Sequence, residues 1–174
     1  PNSHKTTLEQ LEPYFSDKPW TRYLENKTVL VFSPFAESIK DNYPNLEKIW
    51  NGKITNNFKL KVYKYPFSLP ISNNKQYTTS EEVYNEYLQI LQKESFDIGI
   101  FGTGYTSLLY TLHAKKLGKS AIHLGGSTQI LFGVKGQRWK EIDRFANIFN
   151  EYWTEPKDSE KPKKLKLVEG GCYW

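Results

Sequence analysis

Four short apolar runs, separated by helically spaced stretches, organise the chain. Lys27-Thr28-Val29-Leu30-Val31-Phe32 is continuous and rich in β-branched residues, the pattern of a strand buried on both faces of a parallel sheet. Phe58 to Tyr65 alternates apolar and basic residues and predicts a strand with one wet face. Phe96 to Phe101 and Lys119 to Leu124 are the third and fourth runs. Helical spacing fills the intervals. One helix is expected from Ala36 to Tyr43, halted near Pro44, with a second piece from Leu46 to Trp50. Another is capped by Thr79 or Ser80, is acidic at Glu81 and Glu82, and carries the stripe Val83, Tyr87, Ile90, Leu91. A third runs from Tyr105 to Leu117, with Leu108, Leu109, Leu112 and Leu117 expected to face the sheet and Gly118 as its C-cap. A fourth is expected over Arg138 to Tyr152, spaced Trp139, Ile142, Phe145, Ala146, Phe149. Residues 66–78 and 127–137 read as loops.

The alternation of strand and helix predicts an α/β fold: a Rossmann-like parallel sheet of about four strands in order 2-1-3-4, with helices on both faces. Residues 1–26 read as an N-terminal packing segment anchored by Leu8, Leu11, Tyr14, Phe15, Trp20, Tyr23 and Leu24, residues 27–153 as the α/β domain, and 154–174 as a Lys/Pro-rich tail. In such a sheet ligands bind at the carboxyl ends of the strands, where the strand order reverses. Here that edge carries Ser33 to Ser38, Gly102 to Ser107 and Gly125 to Gln137.

Charge narrows the ligand. The balance of 24 basic and 19 acidic residues gives +5, with lysines scattered along the chain. Nucleic-acid binding needs a clustered basic face, so no nucleic acid is expected, whereas an anionic small molecule fits. The 27 aromatic side chains (5 Trp, 12 Tyr, 10 Phe) supply either core or stacking platforms for a base or sugar ring. The one cysteine, Cys172, forms no internal disulfide, and no apolar run reaches the length of a membrane span, so a cytoplasmic location is expected. The chain begins at Pro1 and holds no methionine, which reads as a fragment or processed piece. Oligomeric state is not legible.

Two glycine motifs carry the candidate chemistry. Gly102-Thr103-Gly104-Tyr105-Thr106-Ser107 follows a strand and opens a helix, so its backbone can approach a ligand and its free N–H groups can meet a phosphate. It follows the third strand, not the first, and His123 stands about where a ribose-binding acid belongs, which argues against a nicotinamide dehydrogenase. The second motif, Gly125-Gly126-Ser127-Thr128-Gln129, closes the fourth strand beside His123. Gly102, Gly104, Tyr105, Thr106, Gly125, Gly126, Ser127 and Gln129 are therefore the expected nucleotide contacts, with Lys135 and Arg138 as cations for a diphosphate. Glu37 and His123 are the candidate catalytic bases. A glycine turn without a ligand and a structural histidine are the bland alternatives. No metal cluster is apparent.

The blocks Phe96 to Gly104 and His113 to Trp139, with Pro34-Phe35-Ala36-Glu37-Ser38-Ile39 and the ending Glu169-Gly170-Gly171-Cys172-Tyr173-Trp174, resemble an uncharacterised family from polysaccharide-synthesis loci. The resemblance covers about Pro19 to Trp174. More remotely, the glycine turn and the following strand are similar to the D-type glycosyltransferase fold. This implies a sugar-nucleotide donor, a glycan acceptor and glycosyl transfer, with no other cofactor. The Asp-x-Glu metal motif of those enzymes is replaced here by Ser127 to Ile130, which speaks against a divalent metal. Their Gly-Asp-Gly-Glu-like segment is also lacking, so either the chain starts after it or the site is incomplete. A non-catalytic nucleotide- or sugar-binding module working with another domain is the alternative.

Overall fold

The computed structural model describes residues 5, 7–67 and 76–174. Its centre is an all-parallel four-stranded sheet in order β2-β1-β3-β4, a Rossmann-like α/β fold. The strands are β1 (Thr28–Ser33), β2 (Lys59–Lys64), β3 (Ile98–Phe101) and β4 (Ser120–His123). The helices are α1 (Leu8–Leu11), α2 (Ala36–Asn42), α3 (Leu46–Ile49), α4 (Ser80–Lys93), α5 (Thr106–Lys116), α6 (Ser127–Leu131), α7 (Gln137–Lys140) and α8 (Asp143–Ala146).

Alternation along β1 builds both cores. Val29 and Val31 enter one cluster with Ile39 of α2, Ile49 of α3 and Ile130 of α6. Leu30 and Phe32 enter the other with Val83, Tyr87 and Leu91 of α4 and Tyr110 of α5. A central strand buried on both faces must be apolar throughout, which is why its sequence reads as an unbroken run. The helix over 80–93 starts as expected: Thr79 accepts from the Glu82 N–H while Glu82 reaches back to the Thr79 N–H, a full capping box. The wet face of β2 is not left to water. Lys61 Nζ (2.6 Å) and Tyr63 OH (2.5 Å) both hold the Glu94 carboxylate at the end of α4.

Four expectations are corrected. The leucines of α5 do not face the sheet: Leu108, Leu109, Leu112 and Leu117 are exposed, and the buried face is Thr106, Ser107, Tyr110 and Ala114. The small side chains let α5 lie close to the sheet, their hydroxyls satisfied locally by Ser107 Oγ–Thr103 N (2.8 Å) and Thr106 Oγ1–Thr103 O (2.8 Å). The stretch 138–152 is not one helix. Ile142 is extended, splitting it into α7 and α8, and the bend lets Trp139 and Phe145 both enter the first core. The expected loop 127–137 instead begins with α6, of which Thr128, Gln129, Ile130 and Leu131 are buried. In the N-terminal segment Tyr14 is an anchor, stacked on Trp50 at 4.7 Å, but Tyr23 is exposed.

The expected loop over 66–78 falls mostly outside the described residues, as do positions 1–4 and 6. The Lys/Pro-rich segment from 154 returns over the carboxyl edge of the sheet, with Glu160 buried and Trp174 packed on Phe35 and Phe67.

Candidate functional site

Three strand-to-helix corners meet at the carboxyl edge of β1, β3 and β4, and each is built differently. After β1 the chain turns through Ser33-Pro34-Phe35 into α2. The N-terminus of α2 would attract an anion, and it has one: Glu160 Oε1 accepts from the N–H groups of Glu37 (2.8 Å) and Ser38 (3.1 Å). Glu160 Oε2 takes the Ser38 hydroxyl and the Lys157 N–H. The protein's own carboxylate therefore fills this corner against an external phosphate.

After β3 the corner is open. Gly104 has φ +63, a left-handed conformation suited to glycine, and a Cβ there would meet nothing within 4 Å. The N–H groups of Gly104, Tyr105 and Thr106 donate to no acceptor among the described residues. Gly102 has another role. A Cβ there would lie 2.7 Å from Thr128 Oγ1 and 2.9 Å from Gly125 O, so glycine permits the close approach of β3 to the third corner.

The third corner, Gly125-Gly126, supports the end of the chain. A Cβ on Gly126 would stand 2.8 Å from the Tyr173 ring, and one on Gly136 2.8 Å from the Tyr173 carbonyl oxygen. The Gln129 amide donates to that same oxygen at 3.1 Å, and the Arg138 N–H to the Cys172 oxygen at 2.9 Å. Arg138 also pairs with Glu169 and lies over the Tyr173 ring, 5.0 Å from its centroid.

Together these corners enclose a cavity of about 360 Å³ between β1 and β3. Its floor is Gly102 to Thr106 with Gly125, Gly126 and Gln129. Phe35, Tyr65, Phe67 and Tyr173 supply aromatic walls, and Val168 and Glu169 close one side. Burial pushes the Tyr65 phenol up, so it remains a neutral hydroxyl at physiological pH, sharing a hydrogen bond with Thr106 Oγ1 at 3.1 Å.

Of the expected site residues, Gly102, Gly104, Tyr105, Thr106, Gly125, Gly126 and Gln129 line this cavity. The amide nitrogen of Gln129 is committed to the Val134 and Tyr173 carbonyls, so it anchors the tail. Ser127 and Lys135 stand outside the lining, and Lys135 faces Glu155. Arg138 reaches the cavity only through Glu169 and Tyr173. Neither candidate base lines it. Glu37 is held by Lys64 and Ser159, whose hydrogen bonds keep its carboxyl below the usual range, and His123 is exposed at the end of β4. The lining carboxylate is Glu169, which sequence spacing did not single out. Its signal was the glycine- and aromatic-rich ending Glu169 to Trp174.

Among the described residues no group of three or more His, Cys, Asp or Glu side chains could hold a metal ion, and no helix is long and apolar enough to cross a membrane. No family model, curated protein or solved structure matches the chain, so the functional reading rests on the site itself.

Proposed function

We propose that the cavity binds a sugar nucleotide and that the chain is the donor-binding domain of a glycosyltransferase acting in polysaccharide or glycan synthesis. The observation that carries this reading is the open β3–α5 corner. Three N–H groups at a helix N-terminus, without an acceptor among the described residues, sit at the mouth of an aromatic-walled cavity of a size suited to a small ligand. The N–H groups and helix dipole fit the diphosphate, and the rings of Phe35, Tyr65, Phe67 and Tyr173 fit a base or sugar face. For the acceptor hydroxyl, Glu169 is the candidate base in place of Glu37 and His123.

Calorimetry of the full chain with a panel of uridine, guanosine and thymidine diphosphate sugars tests the reading. Saturable binding supports it, and no heat at millimolar ligand removes it. A second reading, a non-catalytic nucleotide- or sugar-binding module, is favoured by one observation: both sequence-candidate bases lie outside the cavity. Product formation from donor and acceptor separates the two.

A further inference from the structure

Helix α5 is built the wrong way round for a helix that ends at solvent. Of eight exposed large hydrophobic residues among those described, five belong to it and its ends: Tyr105, Leu108, Leu109, Leu112 and Leu117. Tyr105, Leu108, Leu109 and Leu112 are spaced to share one face, and Leu108 and Leu112 are about half exposed, at 54% and 48%. Contiguous apolar surface of this kind on a soluble fold marks an interaction site.

The charges on this stretch of the chain are of one sign, the carboxylates nearby being Glu81, Glu82 and Glu86 of α4, which packs beside α5. From Ile98 to Lys140 there is no carboxylate, while the same stretch holds five lysines and one arginine. Lys135 and Lys140 are taken by Glu155 and Arg138 by Glu169. Lys115, Lys116 and Lys119 form no ion pair among the described residues, and Lys115 and Lys116 are exposed at the C-terminal end of the leucine face. The helix dipole accounts for cations in a last turn, but not for the leucines ahead of them.

We propose that α5 docks the domain on an anionic lipid surface, the leucines entering the headgroup boundary and Lys115 and Lys116 meeting the phosphates. An exposed leucine face with lysines at its end has this affinity. A second copy fits less well. Antiparallel pairing of two α5 faces sets the lysines of one copy against the positive N-terminal end of the other, and parallel pairing sets lysine against lysine. The docking face begins at Tyr105, which also lines the cavity, so bound lipid would lie at the cavity mouth.

Co-sedimentation of the full chain with vesicles tests this. Binding to phosphatidylcholine vesicles containing about 30% phosphatidylglycerol is expected to exceed binding to pure phosphatidylcholine by about tenfold and to weaken with salt. The double variant Leu108→Ser/Leu112→Ser should lose about tenfold in partitioning. Lys115→Gln/Lys116→Gln should lose the preference for anionic lipid while keeping its fold. Near-UV circular dichroism checks both, and the lysine pair stands alone if the leucine pair misfolds. The proposal is overturned by equal sedimentation with both vesicle types, or by binding that survives in both variants. A concentration-dependent dimer that Leu108→Ser/Leu112→Ser abolishes also overturns it, since the face would then belong to a second copy.

Discussion

Glu160 closes onto Ser38 from 122 residues away, accepting both its backbone N–H and its hydroxyl. The pair joins the returning tail to the first turn after β1 and fills the N-terminus of α2 with the protein's own carboxylate. Replacing Glu160 by alanine strands the N–H groups of Glu37 and Ser38 and the Ser38 hydroxyl at a buried corner, while the Lys157 N–H keeps the Ser38 hydroxyl oxygen. Unsatisfied buried donors are costly, so Glu160→Ala is expected to lose about 3 kcal/mol of stability in urea denaturation. Glu160→Gln keeps one acceptor oxygen and should lose about half as much. Equal stability of both variants to the parent chain would show that water replaces the carboxylate at this corner.

The two glycines of the β3–α5 turn make separable predictions. At Gly104 a side chain finds open space but a φ of +63, so Gly104→Ala should fold with a loss of about 1–2 kcal/mol while its Cβ crowds the cavity mouth. Sugar-nucleotide affinity should fall at least about tenfold in that variant, more than its stability loss explains. At Gly102 the new Cβ runs into Thr128 and the Gly125 backbone, so Gly102→Ala should damage folding first. Thermal melts paired with calorimetry tell the two apart, and unchanged affinity in Gly104→Ala would make the turn purely structural.

The same pair shows where sequence reading succeeds. Strands announce themselves through continuous runs such as Val29 to Phe32, and a glycine turn after Phe101 is legible because backbone sterics are local. The parallel sheet follows from the strand–helix alternation, and its order 2-1-3-4 is the one expected. What was not legible depends on distant partners. Leucines at 108, 109 and 112 have helical spacing, but spacing does not say which face meets the sheet. That is decided by Thr106 and Ser107, whose hydroxyls find partners in Thr103 and can therefore be buried. Glu160 lies in a segment whose composition reads as a solvated linker, and only its approach to α2 gives it meaning. Glu37 looked like a base because it follows a strand, yet Lys64 on the neighbouring strand captures it.

Glu94 gives a pH prediction. Its carboxyl is held below the usual range by the Lys61 hydrogen bond first and Tyr63 second. A group whose folded pKa is depressed stabilises the fold fully above its unfolded value, and the contribution vanishes as pH falls through the folded one. Glu94→Gln should therefore cost about 1 kcal/mol at neutral pH, a partly exposed pair being weakened by solvent. The gap from the parent chain should close in acid, starting below about pH 4. The partner effect runs the other way. Glu94 helps push the Tyr63 phenol up to about 12, and the variant should return it toward its ordinary value in an alkaline spectroscopic titration.

The end of the chain makes the sharpest test of how the cavity is walled. Glu169, Gly170 and Gly171 all have positive φ, at +46, +70 and +88, so the segment curls back and sets Tyr173 on Gly126 and Gly136. At Gly136 an added Cβ meets the Tyr173 backbone oxygen at 2.8 Å and the Trp139 ring at 2.9 Å, neither of which can easily yield. At Gly126 the nearest obstacle is the edge of the Tyr173 ring, which can rotate. Gly136→Ala should therefore unseat the ending and break its bond to Gln129, while Gly126→Ala should mostly retain it. Lys164 and Lys166 are already exposed, so loss of the seat acts by freeing the backbone around them, and trypsin cleavage there is expected to quicken by about tenfold in Gly136→Ala and less than about threefold in Gly126→Ala. If Glu169 and Tyr173 contribute to ligand binding, sugar-nucleotide affinity follows the same order. Affinity that holds in Gly136→Ala despite rapid cleavage would assign the ending a purely structural role and leave the open rim around His123 as the place for an acceptor base.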